Sequence, residues 1–352
     1  MSPDLLNFLL TIGRVFSPLY SLMMRLRASL YAKGIIVSER LSLPVVSIGN
    51  LTMGGTGKTP VVMYVVRLLG KQYRPAVISR GYGGRGAKAI NVVSDERTLL
   101  LGPETAGDEP VLLAQSLSGV PVITGAKRVE TGRYVETNTS ADLIVMDDGF
   151  QHLALARDLN LVLFSGDELL GSGWVFPGGV LREPFSALAR ADAFVVTGIS
   201  SRNRRNVLEF KERLQREFPA KPLFEIPYTV KSFTSFNTEP GSCSVSQLQN
   251  KKLFTFCGIA KPESFFFMLR EAGLQIGGTK AFADHHPFTA NDLSDLCMEA
   301  QRAGCEGLLT TEKDFVKVKG LPVSMPVWVA PLIVTASIEF DQFVLDKVKA
   351  AK

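Results

Sequence analysis

The chain is poor in the residues that build metal or disulfide scaffolds. Its 352 residues hold four cysteines, Cys243, Cys257, Cys297 and Cys305, and three histidines. No two cysteines form a C-x-x-C pair. Scattered single cysteines with so few histidines argue against structural zinc and against a disulfide framework, and a reducing compartment is the default. Long apolar runs are missing too. The longest charge-free stretch near the N-terminus, Val15 to Met24, contains Pro18 and falls well short of the ~18–20 residues of a membrane span. Neither a basic leading region nor a small-residue cleavage site marks a signal peptide. Internal repeats and low-complexity tracts are also lacking.

What remains looks globular: 46% hydrophobic and 21% charged residues, with a net charge of +5. The sequence pI is about 9.0 and the mean hydropathy +0.15. The length allows two domains, each with its own core. A basic balance suits nucleic acid, an anionic membrane surface or phosphorylated substrates. The lysines and arginines are scattered and interleave with no aromatic pattern, which argues against an RNA-binding module.

The organising stretch is T52-M-G-G-T-G-K-T59. It follows an apolar run, Leu43 to Ile48, that reads as a buried strand. It precedes a helical pattern, Val61 to Leu69, that begins after Pro60. Strand, glycine turn and helix form the context of a phosphate cradle. Backbone N–H groups turn onto the anion, Lys58 reaches the outer phosphates and Thr59 offers a hydroxyl to magnesium. The strict G-x4-G-K-[ST] pattern asks for glycine where Thr52 stands. Beyond the loop, short apolar strands alternate with helical stretches: Pro75 to Ser79, Val120 to Thr124, Leu143 to Met146, Leu159 to Phe164 and Ala193 to Thr197. That alternation predicts a mostly parallel sheet with helices on both faces. A polar stretch from Thr229 to Asn250 reads as a linker or an edge hairpin. A second α/β run follows, with strands at Lys252 to Cys257, Gly307 to Thr311 and Val327 to Ala330. The expected organisation is an N-terminal helix over 1–36, a nucleotide-binding domain over 37–228, the linker or hairpin over 229–250, and a smaller α/β domain over 251–352.

Within residues 5–31, Leu5, Leu9, Ile12, Phe16, Leu19, Met23, Leu26 and Leu30 recur at helical spacing, beside Arg14, Arg25, Arg27 and Lys33. Such a helix either lies in a membrane interface or packs on the protein's own core. Gly81-Tyr82-Gly83-Gly84-Arg85-Gly86 matches G-x-G-x-x-G but runs on into a strand-like A-K-A-I-N-V-V. It therefore reads as a mobile loop over the site rather than a dinucleotide fingerprint.

Leu143 to Asp148 is an apolar strand ending in two carboxylates, the position from which an acid supports magnesium in a nucleotide-binding sheet. Gly149-Phe150-Gln151-His152 follows. Gly107-Asp108-Glu109-Pro110 and Asp284-His285-His286-Pro287 are two further polar clusters. A histidine near a carboxylate tunes a proton acceptor for a hydroxyl nucleophile, while the bland reading of each acid is a helix cap. Glu183 in L-R-E-P and T-T-E-K-D at residues 310–314 carry less information alone.

Taken in order, G-N-L-T-M-G-G-T-G-K-T-P, S-R-G-Y, G-D-E-P, D-D-G-F-Q-H, L-R-E-P, D-H-H-P-F and T-T-E-K-D resemble the tetraacyldisaccharide 4′-kinase family, the lipid A 4′-kinases of Gram-negative bacteria. The resemblance spans Asn50 to Asp314. Thr52 is similar to that family's own form. The resemblance implies a P-loop fold with a smaller second domain. It implies that ATP phosphorylates the 4′-hydroxyl of a tetraacyl glucosamine disaccharide 1-phosphate to form the lipid A precursor. The place would be the cytoplasmic face of the inner membrane, with the N-terminal helix docked on anionic lipid, no nucleic acid and no obligate protein partner. By matched motifs, Thr52, Met53, Gly54, Gly55, Thr56, Gly57, Lys58 and Thr59 bind the ATP phosphates. Thr59 with Asp147 or Asp148 holds Mg2+, and Glu183 joins them. Asp108 and His285 form a catalytic dyad in which Asp108 accepts the hydroxyl proton and His285 orients it. The reverse assignment, and His286 in place of His285, stay open. Arg80, Tyr82, Arg128, Gln151, His152 and Arg182 are expected sugar or phosphate contacts. The rival reading is a soluble P-loop NTPase switch without a lipid acceptor, which leaves Asp108, His285 and the N-terminal stripe without a role.

Overall fold

A computed structural model describes residues 10–81, 89–236 and 242–352. Its first sheet uses β1 (Val45–Asn50), β2 (Pro75–Ser79), β3 (Ile90–Ser94), β4 (Val122–Gly125), β5 (Leu143–Asp147), β6 (Leu159–Ser165), β7 (Ala193–Thr197) and β8 (Leu223–Ile226). The order is β3-β4-β2-β5-β1-β6-β7-β8, and every pairing is parallel except β3 with β4. β1, β5, β6 and β7 are buried along their whole length, as strands covered by helices on both faces must be. Their continuous apolar runs made them legible. The helix Lys58–Leu69 covers one face through Val61, Val62, Val65, Val66 and Leu69, which repeat at helical spacing. Those five apolar side chains, each worth about 1.5–3 kcal/mol when buried, fix the phosphate loop that precedes them.

The remaining strands are β9 (Tyr228–Thr229), β10 (Ser232–Phe236), β11 (Ser242–Ser244), β12 (Lys252–Cys257), β13 (Gln275–Ala281), β14 (Gly307–Thr311), β15 (Val327–Ala330) and β16 (Ile333–Val334). The second sheet runs β11-β10-β15-β14-β12-β13, parallel from β15 to β13 with an antiparallel edge hairpin, β10–β11. The polar stretch after Thr229 is thus the edge hairpin of the two options. β9 and β16 pair as a short antiparallel ribbon, so the chain enters and leaves the second unit side by side.

The expected small domain ran to residue 352, and the structure corrects this. The last helix, Ile338–Ala351, packs on the first core through Phe340, Val344 and Val348, and Tyr64 Oη donates to Asp341 Oδ1 at 2.7 Å. The N-terminal element is corrected as well. Residues 10–13 are helical, the chain turns at Arg14–Phe16, and a second helix runs Ser17–Ala32 with Pro18 in its first turn, where a missing N–H costs nothing. Ser17 anchors this helix: its hydroxyl donates to Val175 O at 2.5 Å and accepts from Gly178 N at 2.9 Å. Tyr20 packs edge-on against Phe176. The opposite side leaves Phe16, Leu19, Met23 and Leu26 more than half exposed, at 55–61%. Leu5 and Leu9 lie outside the described residues. No described helix is long and apolar enough to cross a membrane.

Candidate active site

A cavity of about 1180 Å³ lies between the two sheets, at the C-terminal ends of their parallel strands, where open α/β sheets bind ligands. Its floor is the turn between β1 and the helix Lys58–Leu69. Met53 through Pro60 line it. Gly54 has φ +97° and Gly57, the residue before the helix, φ +72°, a hand that glycine adopts without strain. Gly57 is also walled in, because a Cβ there would sit 2.4 Å from the Tyr228 hydroxyl, which donates to the Gly57 carbonyl. The loop root is tied by Met53 N to Val180 O (2.7 Å), Arg182 N to Leu51 O (2.8 Å) and Thr197 Oγ1 to Thr56 O (3.0 Å). Thr52 belongs to this root. It is buried, pairs with Leu181 and does not line the cavity.

Lys58 Nζ donates to Asn50 Oδ1 at 3.2 Å and sits 3.4 Å from Asp148 Oδ1. Arg182 donates to both oxygens of Asp148, at 3.0 and 2.8 Å. Burial alone would raise the Asp148 pKa, but Lys58 and Arg182 outweigh it and hold the carboxyl below its usual range. Asp147, paired beside Ile48 of β1, behaves oppositely: burial and then the Glu109 charge push it up to about 7. Its Oδ1 is buried without a hydrogen-bond partner. An orphaned carboxylate oxygen in a cavity also lined by Asp148 and Thr59 is of a chemistry that suits a hard cation. Among the described residues no cluster of three or more metal-type side chains occurs.

Glu183 does not join this group. Its side chain is 2% exposed, both oxygens accept from Arg190 at 2.8 and 3.0 Å, and it stays off the cavity wall. Its charge is already spent on a buried ion pair. Of the expected substrate contacts, Arg80, Gln151 and Arg182 line the cavity. Gln151 is fixed by donating to Asn50 O at 2.8 Å, and Arg27 of the N-terminal helix reaches Gln151 O at 3.2 Å. Arg128 and His152 are not on the wall. Arg128 is buried and donates to Gly125 O at 3.1 Å and Ala126 O at 3.3 Å. His152 is drawn down to about 4 by burial and by the nearby Arg128, Arg157, Arg27 and Arg80 charges, so it is a neutral ring. Tyr82, with the glycine segment through Gly86, lies outside the described residues.

The facing wall joins the helix Asp108–Ser116 of the first unit to the second unit. Asp108 opens the helix Asp108–Ser116, and His285 follows β13 at φ +61°. They are far apart in sequence, yet His285 Nδ1 lies 3.1 Å from Asp108 Oδ2. His285 lines the cavity, and Asp108 sits behind it. Burial pushes the Asp108 carboxyl up, and His285 and Lys317 outweigh it, holding it below its ordinary value. The hydrogen bond to Asp108 raises His285 against burial and against Lys313. His286 faces elsewhere: it contacts Asp292 at 3.2 Å and packs between Phe282 and Phe288.

Two lysines complete this wall, and the sequence reading did not single them out. Lys317 is nearly buried, 3.4 Å from Asp108 Oδ2 and 3.1 Å from Asp314 Oδ1. Lys313 contacts Glu109, Asp284 and His285. Both stand in or beside T-T-E-K-D, the only signal available. On the far side of the cavity the units meet through Lys261–Glu168 at 2.8 Å, Ser201 with Glu271 at 3.0 Å, and Arg202 stacked on Phe267.

With this geometry in place, likeness to known proteins is specific. A family model described as tetraacyldisaccharide-1-P 4′-kinase matches residues 9–349. A tetraacyldisaccharide 4′-kinase of Desulfotalea psychrophila is 44% identical over 340 residues, covering 96% of this chain and 97% of that protein. One of Pelobacter propionicus is 40% identical over 319 residues, covering 89% and 84%. Among solved structures, LpxK from Aquifex aeolicus, crystallised with ATP, superposes with a TM-score of 0.73 at 29% identity, over 95% of this chain and 97% of that one.

Proposed function

The chain belongs to the tetraacyldisaccharide 4′-kinase family, and from that premise we propose how its residues divide the reaction. It is an ATP-dependent kinase. The 4′-hydroxyl oxygen of an acylated glucosamine disaccharide 1-phosphate bonds to the γ-phosphorus of ATP. The bond from that phosphorus to the β,γ-bridging oxygen breaks, ADP leaves, and the hydroxyl proton passes to the Asp108–His285 pair. Met53 through Thr59 hold the phosphates with backbone N–H groups, and Lys58 neutralises charge on them. Thr59, Asp147 and Asp148 would hold a magnesium ion, which neutralises charge developing on the phosphates. Arg182 keeps Asp148 ionised and in place. The observation that supports this reading best is the single cavity in which the phosphate loop of one unit faces the acid–histidine pair bridging to the other.

The acceptor carries acyl chains, so the enzyme docks on a membrane. The exposed stripe Phe16, Leu19, Met23 and Leu26, with Arg14, Arg25 and Lys33 near it, supports docking in the interface of an anionic leaflet, on the cytoplasmic side where ATP is found. Each basic group near the surface adds ~1 kcal/mol. The inner side of the same helix, with Tyr20, Met24 and Arg27, walls the cavity, so the helix would bring lipid and phosphate donor together.

Labelled ATP with a tetraacyl disaccharide-1-phosphate in mixed micelles tests the reading. Label should enter the lipid only when magnesium is present. Asp108→Ala should lower turnover by about 10²–10⁴-fold. Hydrolysis of ATP indifferent to the acceptor, or an Asp108→Ala variant of wild-type rate, overturns it.

A further inference from the structure

The contacts of Lys313 have a stoichiometry that decides the state of its neighbour. Its Nζ lies 3.3 Å from Glu109 Oε1, 3.3 Å from Asp284 Oδ1 and 3.2 Å from His285 Nε2. An ammonium has three N–H donors and no acceptor. Each donor therefore meets one partner, and His285 Nε2 must be the accepting lone pair. A neutral imidazole carries its proton on the other nitrogen, and Nδ1 is the atom 3.1 Å from Asp108 Oδ2.

We propose that Lys313 is a positioning residue for the Asp108–His285 pair: by donating to Nε2 it holds the imidazole neutral, with the Nδ1 proton directed at Asp108. The inference rests on the reading of that pair as the acceptor of the hydroxyl proton. Its consequence is that the pair carries one negative charge and one open proton site when the substrate arrives. An imidazolium would fill that site, and its Nε2–H would point into the Lys313 ammonium.

The surrounding charges pull both ways: Asp108, Asp284 and Glu109 raise His285, while burial and Lys313 oppose them, so the assignment rests on the donor geometry at Nε2. Asp108 and Glu109 come from the helix Asp108–Ser116, Asp284 precedes His285 in its own loop, and Lys313 and Lys317 come from the helix Glu312–Val318. Burial disfavours the Lys313 charge, but Glu109 and Asp284 outweigh it and keep the amine protonated. Asp284 Oδ2 is the competitor for Nε2, yet at 3.8 Å it is beyond hydrogen-bond reach. Without Lys313 the ring would lie between two carboxylates, Asp108 and Asp284, and would take up a second proton at higher pH. The loop is held independently of Lys313. His285 N donates to Gly258 O at 3.2 Å, and Gly258 N donates to Asp314 Oδ2 at 2.9 Å, so the lysine tunes a ring already in place.

Two measurements test the proposal. With only three histidines, ring-nitrogen NMR of 15N-histidine-labelled enzyme near neutral pH is readable, and the His285→Gln spectrum identifies the signal. Wild type should show His285 as the neutral Nδ1–H tautomer, and Lys313→Met should show imidazolium. The acid limb of the kcat profile should move to higher pH by about one unit in Lys313→Met, the order expected on removing a like charge at this distance. Lys313→Arg, which still donates a charged N–H, should restore both readouts toward wild type. An Nε2–H tautomer or an imidazolium in the wild type overturns the proposal, as does an acid limb unmoved in Lys313→Met. If that variant does not fold, the wild-type tautomer alone decides. Failure of the underlying reading looks different: Asp108→Ala would stay active whatever the His285 tautomer.

Discussion

Gly57→Ala isolates the physics of the phosphate loop, because Gly54 provides its control. Both glycines have positive φ, +97° at Gly54 and +72° at Gly57. A Cβ on Gly54 would meet nothing within 4 Å, whereas one on Gly57 would lie 2.4 Å from Tyr228 Oη, 2.7 Å from its Cε2 and 2.9 Å from its Cζ. Backbone strain alone costs a non-glycine residue roughly 1–2 kcal/mol in the left-handed region. At Gly57 the ring must also move, which breaks the hydrogen bond from the Tyr228 hydroxyl to the Gly57 carbonyl, worth about 1 kcal/mol net. Gly54→Ala should therefore destabilise by about 1 kcal/mol and Gly57→Ala by about 2–4 kcal/mol. At about 2–4 °C per kcal/mol for a domain of this size, the gap is several degrees in a melt of the ATP-free protein. Tyr228→Phe removes the nearest atom of the obstruction. In the Gly57→Ala/Tyr228→Phe double variant, roughly 1 kcal/mol of the combined loss should be missing. Equal melting of the two alanine variants, or strict additivity in the double variant, would refute the argument that Tyr228 shapes the loop.

Three other outcomes follow from the site. Glu183→Gln leaves the partly exposed Arg190 without its counter-charge and should cost about 1–3 kcal/mol of stability. The magnesium concentration for half-maximal rate should not change, and a large rise would return Glu183 to the metal. His152 is neutral in the fold down to about pH 4, against 6.5 for the free side chain, so the unfolded chain binds the extra proton between those values. Stability from this residue is thus complete above about pH 6.5 and drains away as pH falls toward 4. With discount for the water-exposed part of the ring, His152→Gln should remove about 1–2 kcal/mol of that acid loss, read as the difference between wild-type and variant melts across pH. Leu19→Glu/Leu26→Glu charges the exposed side of the N-terminal helix. Partition into anionic vesicles should fall at least about tenfold, while ATP binding in detergent-free solution is retained. Unchanged sedimentation with vesicles would place docking elsewhere.

The glycine loop, the strand-end acids Asp147 and Asp148, and the motifs that hold Asp108 and His285 were legible because each is local: a buried strand, a glycine turn, and short polar motifs at strand or helix ends. What stayed hidden depends on partners distant in sequence. β13, Q-I-G-G-T-K-A, has neither alternation nor an apolar run, and it is a strand because β12 pairs with it. Lys313 and Lys317 gain their roles only when the helix Glu312–Val318 meets the helix Asp108–Ser116. Glu183 was misplaced for a different reason. It is adjacent to Arg182 at a bend in the chain, where the two side chains part. Arg182 therefore reaches Asp148 while Glu183 turns inward to Arg190. Gln151 and His152 divide similarly between cavity and interior.

The return of the helix Ile338–Ala351 to the first core has a consequence for biosynthesis. Phe340, Val344 and Val348 pack in the same cluster as the phosphate-loop helix, although they follow the whole second unit in the chain. A chain stalled after β16 has both sheets' strands and both halves of the dyad, yet leaves the apolar flank of the loop helix open to water. The first core is therefore closed by a segment made after the second unit. A product that stops before this helix leaves the helix Lys58–Leu69 without those contacts.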